Sequence, residues 1–179
     1  MNTVFIHLNK SRKKGFSLIE MTIYVFFVGT FSVLALNGVF QAIEVFADFR
    51  MTRNLNSTAE VILDRVTREV RQAYDVDQAE SSFSAHPGKL TLKTIDPSDV
   101  DTTVEFYIDS GSVKIKEGGV EQGLLGSSDV AVDIFVFDFI SNANAKAIKT
   151  RLQLTAQRGS LQKTKTFYAT TILRGSYSN

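Results

Sequence analysis

The chain has 179 residues, a formal net charge of +1 at pH 7 and 44% hydrophobic residues. This length suits one globular domain with a core and is too short for several large domains. The absence of cysteine excludes a disulfide-stabilised domain, a thiol nucleophile and lipid attachment through a lipobox.

Residues 1–15 form a basic leader. The leader carries four positive side chains and no acid; they are Lys10, Arg12, Lys13 and Lys14. Positive residues that precede an apolar segment stay in the cytoplasm, so the rest of the chain is predicted to face outward. Loss of the leader would leave a net charge of about −3 on the remaining 164 residues.

Residues 16–43, which follow the leader at once, are the predicted membrane-spanning half of a long helix. Met21 to Ile43 contains no charged side chain. At about 1.5 Å per helical residue, this stretch is long enough to cross a hydrocarbon core of roughly 30 Å. The sequence therefore predicts a single-pass membrane anchor with a domain outside the cytoplasm.

Glu20 is a carboxylate at the start of this apolar segment. A charge at the centre of a membrane helix costs about 2.5–3.5 kcal/mol, and such residues are usually functional. In a simple membrane anchor, Glu20 would instead snorkel toward the interface. A third reading is a conventional signal peptide removed after Val33-Leu34-Ala35, which would leave Glu20 without a role.

The stretch Gly15-Phe16-Ser17-Leu18-Ile19-Glu20, preceded by Lys13 and Lys14, resembles the processing site of bacterial type IV pilins and type II secretion pseudopilins. The resemblance implies that a prepilin peptidase recognises the basic leader, cuts after Gly15 and methylates Phe16. It also implies further partners: other pilins or pseudopilins of a filament and an assembly platform in the inner membrane.

The chemistry of Glu20 fits this resemblance. Cleavage would expose an α-amine with an ordinary pKa of about 7.7–8.0, which is a cation near neutral pH. A carboxylate in a low-dielectric setting attracts such a cation strongly, so pairing between subunits would offset the cost of burying Glu20. Glu20 is therefore predicted to set the axial register of subunits in a filament.

Residues 44–75 are predicted to continue the helix as an amphipathic half. Apolar residues recur there at three- and four-residue steps: Leu55, Ala59, Ile62, Leu63, Val66, Val70 and Ala73. Asn54 to Thr58 indicates a kink or interruption. The stretch Leu63 to Ala73 is similar to the helix end of large minor pilins and J-type minor pseudopilins.

Residues 76–179 are predicted to form an antiparallel β-sheet domain. Alternating apolar and polar residues indicate strands at Lys89–Ile95, Thr102–Ile108, Ser112–Lys116, Asp133–Ile140, Ile148–Gln157 and Lys163–Leu173. Asp133–Ile140 is apolar on both faces and is predicted to be a central strand. A long helix that covers such a sheet gives an α+β fold.

The C-terminal strands are rich in basic residues, with no acid between residues 141 and 179. The candidate contact residues are Lys146, Lys149, Arg151, Lys163 and Lys165. They could bind DNA phosphates or acidic faces of neighbouring subunits, or they could be ordinary outward-facing charges on strands.

Asp96, Asp99 and Asp101 place three carboxylates in one loop, which is a weak candidate for a calcium site. The loop lacks the glycine and closing glutamate of a defined calcium loop, so a solvated turn is the alternative. No cofactor is expected otherwise. His86 is predicted to be a surface loop residue, and no catalytic motif is present, so the chain is predicted not to be an enzyme.

Together these features predict a minor pilin or pseudopilin that primes or caps a type IV pilus or a type II secretion pseudopilus. The protein is expected in the inner or plasma membrane as a prepilin and in a filament after processing. The alternatives are an adhesive or DNA-binding tip pilin that uses the basic strands, and an unprocessed single-pass membrane protein.

Overall fold

The computed structural model describes residue 15 and residues 17–142 and 145–174. The predictions for Lys13, Lys14 and Phe16 lie outside these residues. The described residues form one long helix and eight strands in antiparallel sheets, which confirms the predicted α+β class. Two compact units divide the chain, Met1–Glu44 and Val45–Asn179.

Helix α1 runs from Leu18 to Gln72. The predicted interruption at Asn54 to Thr58 is not present, because Leu55, Thr58 and Ala59 are buried and their packing outweighs weak helix propensity. The helix ends three residues before the predicted boundary at residue 75. Tyr74 instead donates its backbone N–H to Lys93 O at 3.0 Å, which starts the sheet.

In the unit Met1–Glu44, the helix has the length and composition of a membrane span. An 18-residue window reaches a mean hydropathy of 1.9, and none of it is buried within the protein. The side chains from Leu18 to Ile43 are therefore exposed to whatever surrounds the helix. The prediction of a candidate membrane-spanning segment near the N-terminus is thus confirmed.

In the unit Val45–Asn179, one face of α1 forms part of the core. The predicted apolar stripe is confirmed except for Leu63, which is only partly buried. The buried apolar residues of the helix are Met51, Leu55, Ala59, Ile62, Val66 and Val70, followed by Ala73 just after the helix. They share a single hydrophobic cluster with side chains from both sheets.

The strands form two sheets where a single sheet was predicted. The first has the order β1-β2-β3-β4-β5 and the second has the order β6-β7-β8. The bounds in the first sheet are Asp75–Val76, Leu90–Ile95, Asp101–Asp109, Ser112–Glu117 and Val120–Leu125. The bounds in the second are Val130–Ser141, Lys146–Arg158 and Leu161–Ile172. Strands β1 and β5 were not predicted, since β1 is two residues long and Gly123 interrupts the pattern of β5.

The prediction that Asp133–Ile140 is a central strand was wrong. It lies within β6, which is an edge strand, and β7 is the central strand of its sheet. The apolar residues on both faces have a different cause. Phe135 and Phe137 face the core, whereas Val136 on the opposite face is also almost fully covered, at 3% exposure.

The free edge of β6 is closed by loops. Gly88 N–H donates to Phe135 O at 2.8 Å, and Ser84 N–H donates to Phe137 O at 2.8 Å. Phe135 N–H donates to Nδ1 of the exposed His86 at 3.2 Å. Val132 N–H donates to Gly111 O in the β3–β4 turn at 2.9 Å, which joins the two sheets. The edge that a short sheet would otherwise expose is thus hydrogen-bonded.

Gly88 is required for this edge closure, because a Cβ at this position would lie 2.6 Å from Phe135 O. We expect Gly88→Ala to lower the free energy of unfolding by about 1–3 kcal/mol, since backbone must move to relieve the contact. Gly38→Ala is the control, because a Cβ there meets nothing within 4 Å and alanine favours a helix. Thermal unfolding of both full-length variants in detergent would measure the difference, and equal stability would contradict the role of Gly88.

Candidate functional site

The first described residues surround the predicted cleavage site. Gly15 is exposed and lies outside the helix, which begins at Leu18. Glu20 is exposed in the first turn of α1. A carboxylate there interacts favourably with the positive end of the helix dipole. Gly15 therefore lies in non-helical chain before the helix, and Glu20 lies within one turn of the helix start.

Three hydroxyl side chains of the apolar segment form their hydrogen bonds inside the helix. The hydroxyls of Thr22, Thr30 and Ser32 donate to carbonyl oxygens four residues earlier, at 2.9, 2.9 and 2.7 Å. A hydrocarbon environment offers no water to polar groups, so such internal pairing removes the main cost of placing them there. The segment is thus chemically suited to lipid or to the centre of a helical assembly.

Arg65 joins the helix to the first sheet, which the sequence did not indicate. Its Nε lies 2.9 Å from Glu69 Oε1, and its guanidinium also pairs with Glu117 on β4. Glu69 is only 8% exposed, so Arg65 supplies the counter-charge for a buried carboxylate. Arg65 is therefore part of the contact between the helix and the first sheet, and nothing local in the sequence pairs it with Glu117.

The five candidate basic residues lie on two faces of the second sheet and at its end. Lys163 and Lys165 are opposite the buried Ala156 and Leu154, so they point to the side on which α1 packs. Lys163 Nζ pairs with Asp48 at 2.6 Å, and Lys165 Nζ donates to Asn56 Oδ1 at 2.9 Å. These two lysines hold the sheet to the helix.

Lys149 and Arg151 lie on the opposite, outer face of the second sheet, where Arg151 is paired across strands with Tyr168. Lys146 pairs with Asp75 at 2.6 Å at the end of the sheet. The structure therefore does not bring the five residues together into one basic surface. Nucleic-acid binding by this set stays a prediction.

The three aspartates of the candidate calcium loop do not converge on one site. Asp96 Oδ1 accepts hydrogen bonds from the backbone N–H groups of Ser98 and Val100, at 2.8 and 2.9 Å, and so closes the loop. Asp99 is exposed and has a φ of 62°. Within the described part of the chain, no three acidic or imidazole side chains converge as a metal site would require.

Several acids of the domain are held in their charged form by lysines. A hydrogen bond from Lys146 lowers the pKa of Asp75 below its ordinary value, against the opposing effect of burial. Hydrogen bonds from Lys114 likewise lower the pKa values of Asp109 and Glu121. These pairs contribute stability at neutral pH that acid removes.

Comparison with family models, curated proteins and solved structures found no match to this chain. A functional assignment therefore has to be argued from the residues and the geometry of this chain itself.

Loss of Arg65 should destabilise the domain, because Glu69 would remain buried with only the looser contact to Arg68 Nε at 3.6 Å. We expect Arg65→Met to lower the free energy of unfolding by about 1–3 kcal/mol, less than for a fully buried pair because Arg65 is partly exposed. Adding Glu69→Gln should restore part of this loss. Arg53→Met, at an exposed position of the same helix, is the control. A second substitution that only adds to the loss would contradict this role.

Acid should destabilise the protein through Asp75. Its folded-state pKa is lowered, so its contribution is complete above the unfolded value of about 3.9 and is lost as pH falls through the folded value. We expect Asp75→Asn and Lys146→Gln each to flatten the fall of unfolding free energy below about pH 4, and the double variant to add nothing further. Chemical denaturation between pH 3 and pH 7 would measure this, and additive effects would contradict it.

Proposed function

We propose that this chain is a minor pilin or pseudopilin, a structural subunit that primes or caps a type IV pilus or a type II secretion pseudopilus. The observation that carries the proposal is the placement of Gly15 and Glu20 at the start of α1. The first is exposed and precedes the helix, and the second is the acid of its first turn. A prepilin peptidase would cut after Gly15 and methylate Phe16.

The two halves of α1 support a role in assembly. Residues up to Ile43 expose apolar side chains whose burial within the protein is nil, as a segment that moves from lipid into a filament core would require. From Met51 onward, one face of the helix is part of the core of its own domain. One half is thus available for contacts with other subunits, and the other half anchors the folded domain.

Glu20 supports the pairing step. The new α-amine on Phe16 would be a cation near neutral pH, and methylation keeps that charge. Without a partner, insertion of Glu20 into an apolar assembly would carry the cost of an unpaired charge. Pairing with the α-amine of a neighbouring subunit would offset this cost at one axial offset between the two subunits only, which defines the register.

The processing step is tested by intact-mass and N-terminal analysis of the membrane-extracted protein, from cells with and without a prepilin peptidase. We expect a peptidase-dependent product that starts at N-methylated Phe16. A chain that keeps Met1 in both cells would favour the unprocessed membrane anchor. A start at Leu36 would favour a conventional signal peptide and a secreted domain. Either result would overturn the proposal.

The assembly step is tested by Glu20→Gln. We expect this variant to enter the membrane and be cut after Gly15, but to be depleted at least tenfold from sheared filament fractions, because the α-amine has lost its counter-charge. Glu44→Gln removes a carboxylate just beyond the apolar run and is the matched control, with normal incorporation expected. Equal incorporation of the two variants would remove Glu20 from the assembly mechanism.

A further inference from the structure

A cleft beside the C-terminal end of α1 is lined by arginines that are far apart in the sequence. It has a volume of about 330 Å³. Its lining, here called the arginine cleft, consists of Asp64, Thr67, Arg68, Arg71, Gln72 and Arg174. Arg174 follows β8 and reaches the cleft because Leu173 is fully buried and Thr171 is bonded to Thr67 through their hydroxyls, at 3.3 Å. The cluster therefore exists only in the folded protein.

The positive charge of the arginine cleft is not balanced within the described residues. Arg71 and Arg174 form no ion pair among them, and Arg68 has only the 3.6 Å contact with Glu69. Asp64 is the single acid in the lining. Guanidinium groups in close proximity repel each other and bind carboxylates through planar pairs of N–H groups. The cleft therefore has the charge and the hydrogen-bond donors to bind an anionic group.

The loop from Asp96 to Asp101 offers a matching group. Its conformation is fixed by the hydrogen bonds that Asp96 accepts, and Asp99 is presented at its tip. The Asp99 side chain makes no hydrogen bond or ion pair with the described residues. Asp101, in the same loop, is also exposed. Asp99, exposed at the tip of this acidic loop, is therefore complementary in charge to the arginine cleft.

The loop and the cleft lie at the same level of α1 but on different sides of it. Asp64, Arg68 and Arg71 share one helix face. Arg65 and Glu69 share another, roughly 110° away at 100° per residue, and they line a second cavity together with Thr94 to Pro97 of the loop strand. Gln72 borders both cavities. The loop therefore lies on a different side of α1 from the cleft of its own chain, which leaves both surfaces available to a second copy.

We propose that the arginine cleft of one copy of this chain binds the Asp96–Asp101 loop of a second copy, with Asp99 between Arg71 and Arg174. The two surfaces differ, so the contact is heterologous. In a dimer, the copy that contributes its cleft keeps a free loop, and the copy that contributes its loop keeps a free cleft. The contact deepens the proposed function, because it would place parallel subunits side by side at the start of a filament. It does not require cleavage after Gly15.

The test uses the absence of native cysteine. Two full-length chains with different tags are co-expressed in one membrane, one with Ser98→Cys in the loop and the other with Asp64→Cys in the cleft, and are treated with a short bifunctional maleimide. We expect a mixed dimer. The control pair combines Ser98→Cys with Gln162→Cys on the outer face of β8, and should give at least fivefold less mixed product.

Charge reversal identifies the contact. Arg71→Glu with Arg174→Glu, added to the Asp64→Cys chain, should reduce the mixed dimer at least fivefold. Adding Asp99→Arg to the Ser98→Cys chain should then restore it. The dimer should also weaken between 0.15 and 0.5 M salt, because exposed charges are screened over about 8 Å at the lower concentration. The five substituted positions, Asp64, Arg71, Ser98, Asp99 and Arg174, are all exposed, and unfolding temperatures of the variants check that each remains folded.

Three results would overturn the proposal: a mixed dimer that charge reversal leaves unchanged, a yield equal to that of the control pair, or crosslinks mainly between two Ser98→Cys loops. Repeating the experiment without a prepilin peptidase separates it from the proposed function. A mixed dimer from the unprocessed chain, together with no peptidase-dependent product, would support the contact and overturn the pilin assignment. Peptidase-dependent processing without a mixed dimer would support the pilin assignment and overturn the contact.

Discussion

The packing of one helix face against two small sheets is the interaction on which the rest of this domain depends. The second sheet has three strands and the first has five, and antiparallel sheets of this size need their apolar face covered to be stable. Side chains from Met51 to Val70 supply that cover and join both sheets in a single cluster. Polar contacts at Lys163 and Lys165 then fix the second sheet along the helix.

This dependence has a consequence for the membrane segment. The helix is continuous from Leu18 to Gln72, but its two halves bury their side chains in different ways. Leu55 and Ile62 are fully buried, whereas Phe26 and Phe31 are more than 60% exposed. An exposed apolar helix is stable only in lipid or against other apolar helices. The C-terminal half of the helix thus stabilises the folded domain, whereas the N-terminal half exposes its apolar side chains to its surroundings.

Charge in the domain is arranged in two ways. Arg65 and Glu69 form a part-buried ion pair within the chain, which has a structural role. Arg71, Arg174 and Asp99 are exposed and lack such partners among the described residues. Exposed, unbalanced charges contribute little to folding, so their natural effect is on association and its orientation. This division separates the residues that stabilise the fold from the exposed charges on which the proposed contact depends.

Local patterns in the sequence determined much of this protein. Apolar length and composition defined the membrane-type half of α1, three- and four-residue spacing defined its buried stripe, and alternation defined six of the strands, because each of these signals depends only on neighbouring residues. Tertiary structure decided the rest. The division into two sheets, the edge position of β6, the pairing of Arg65 with Glu117 and the approach of Arg174 to Arg71 all join residues far apart in the chain, and no local spacing encodes such contacts.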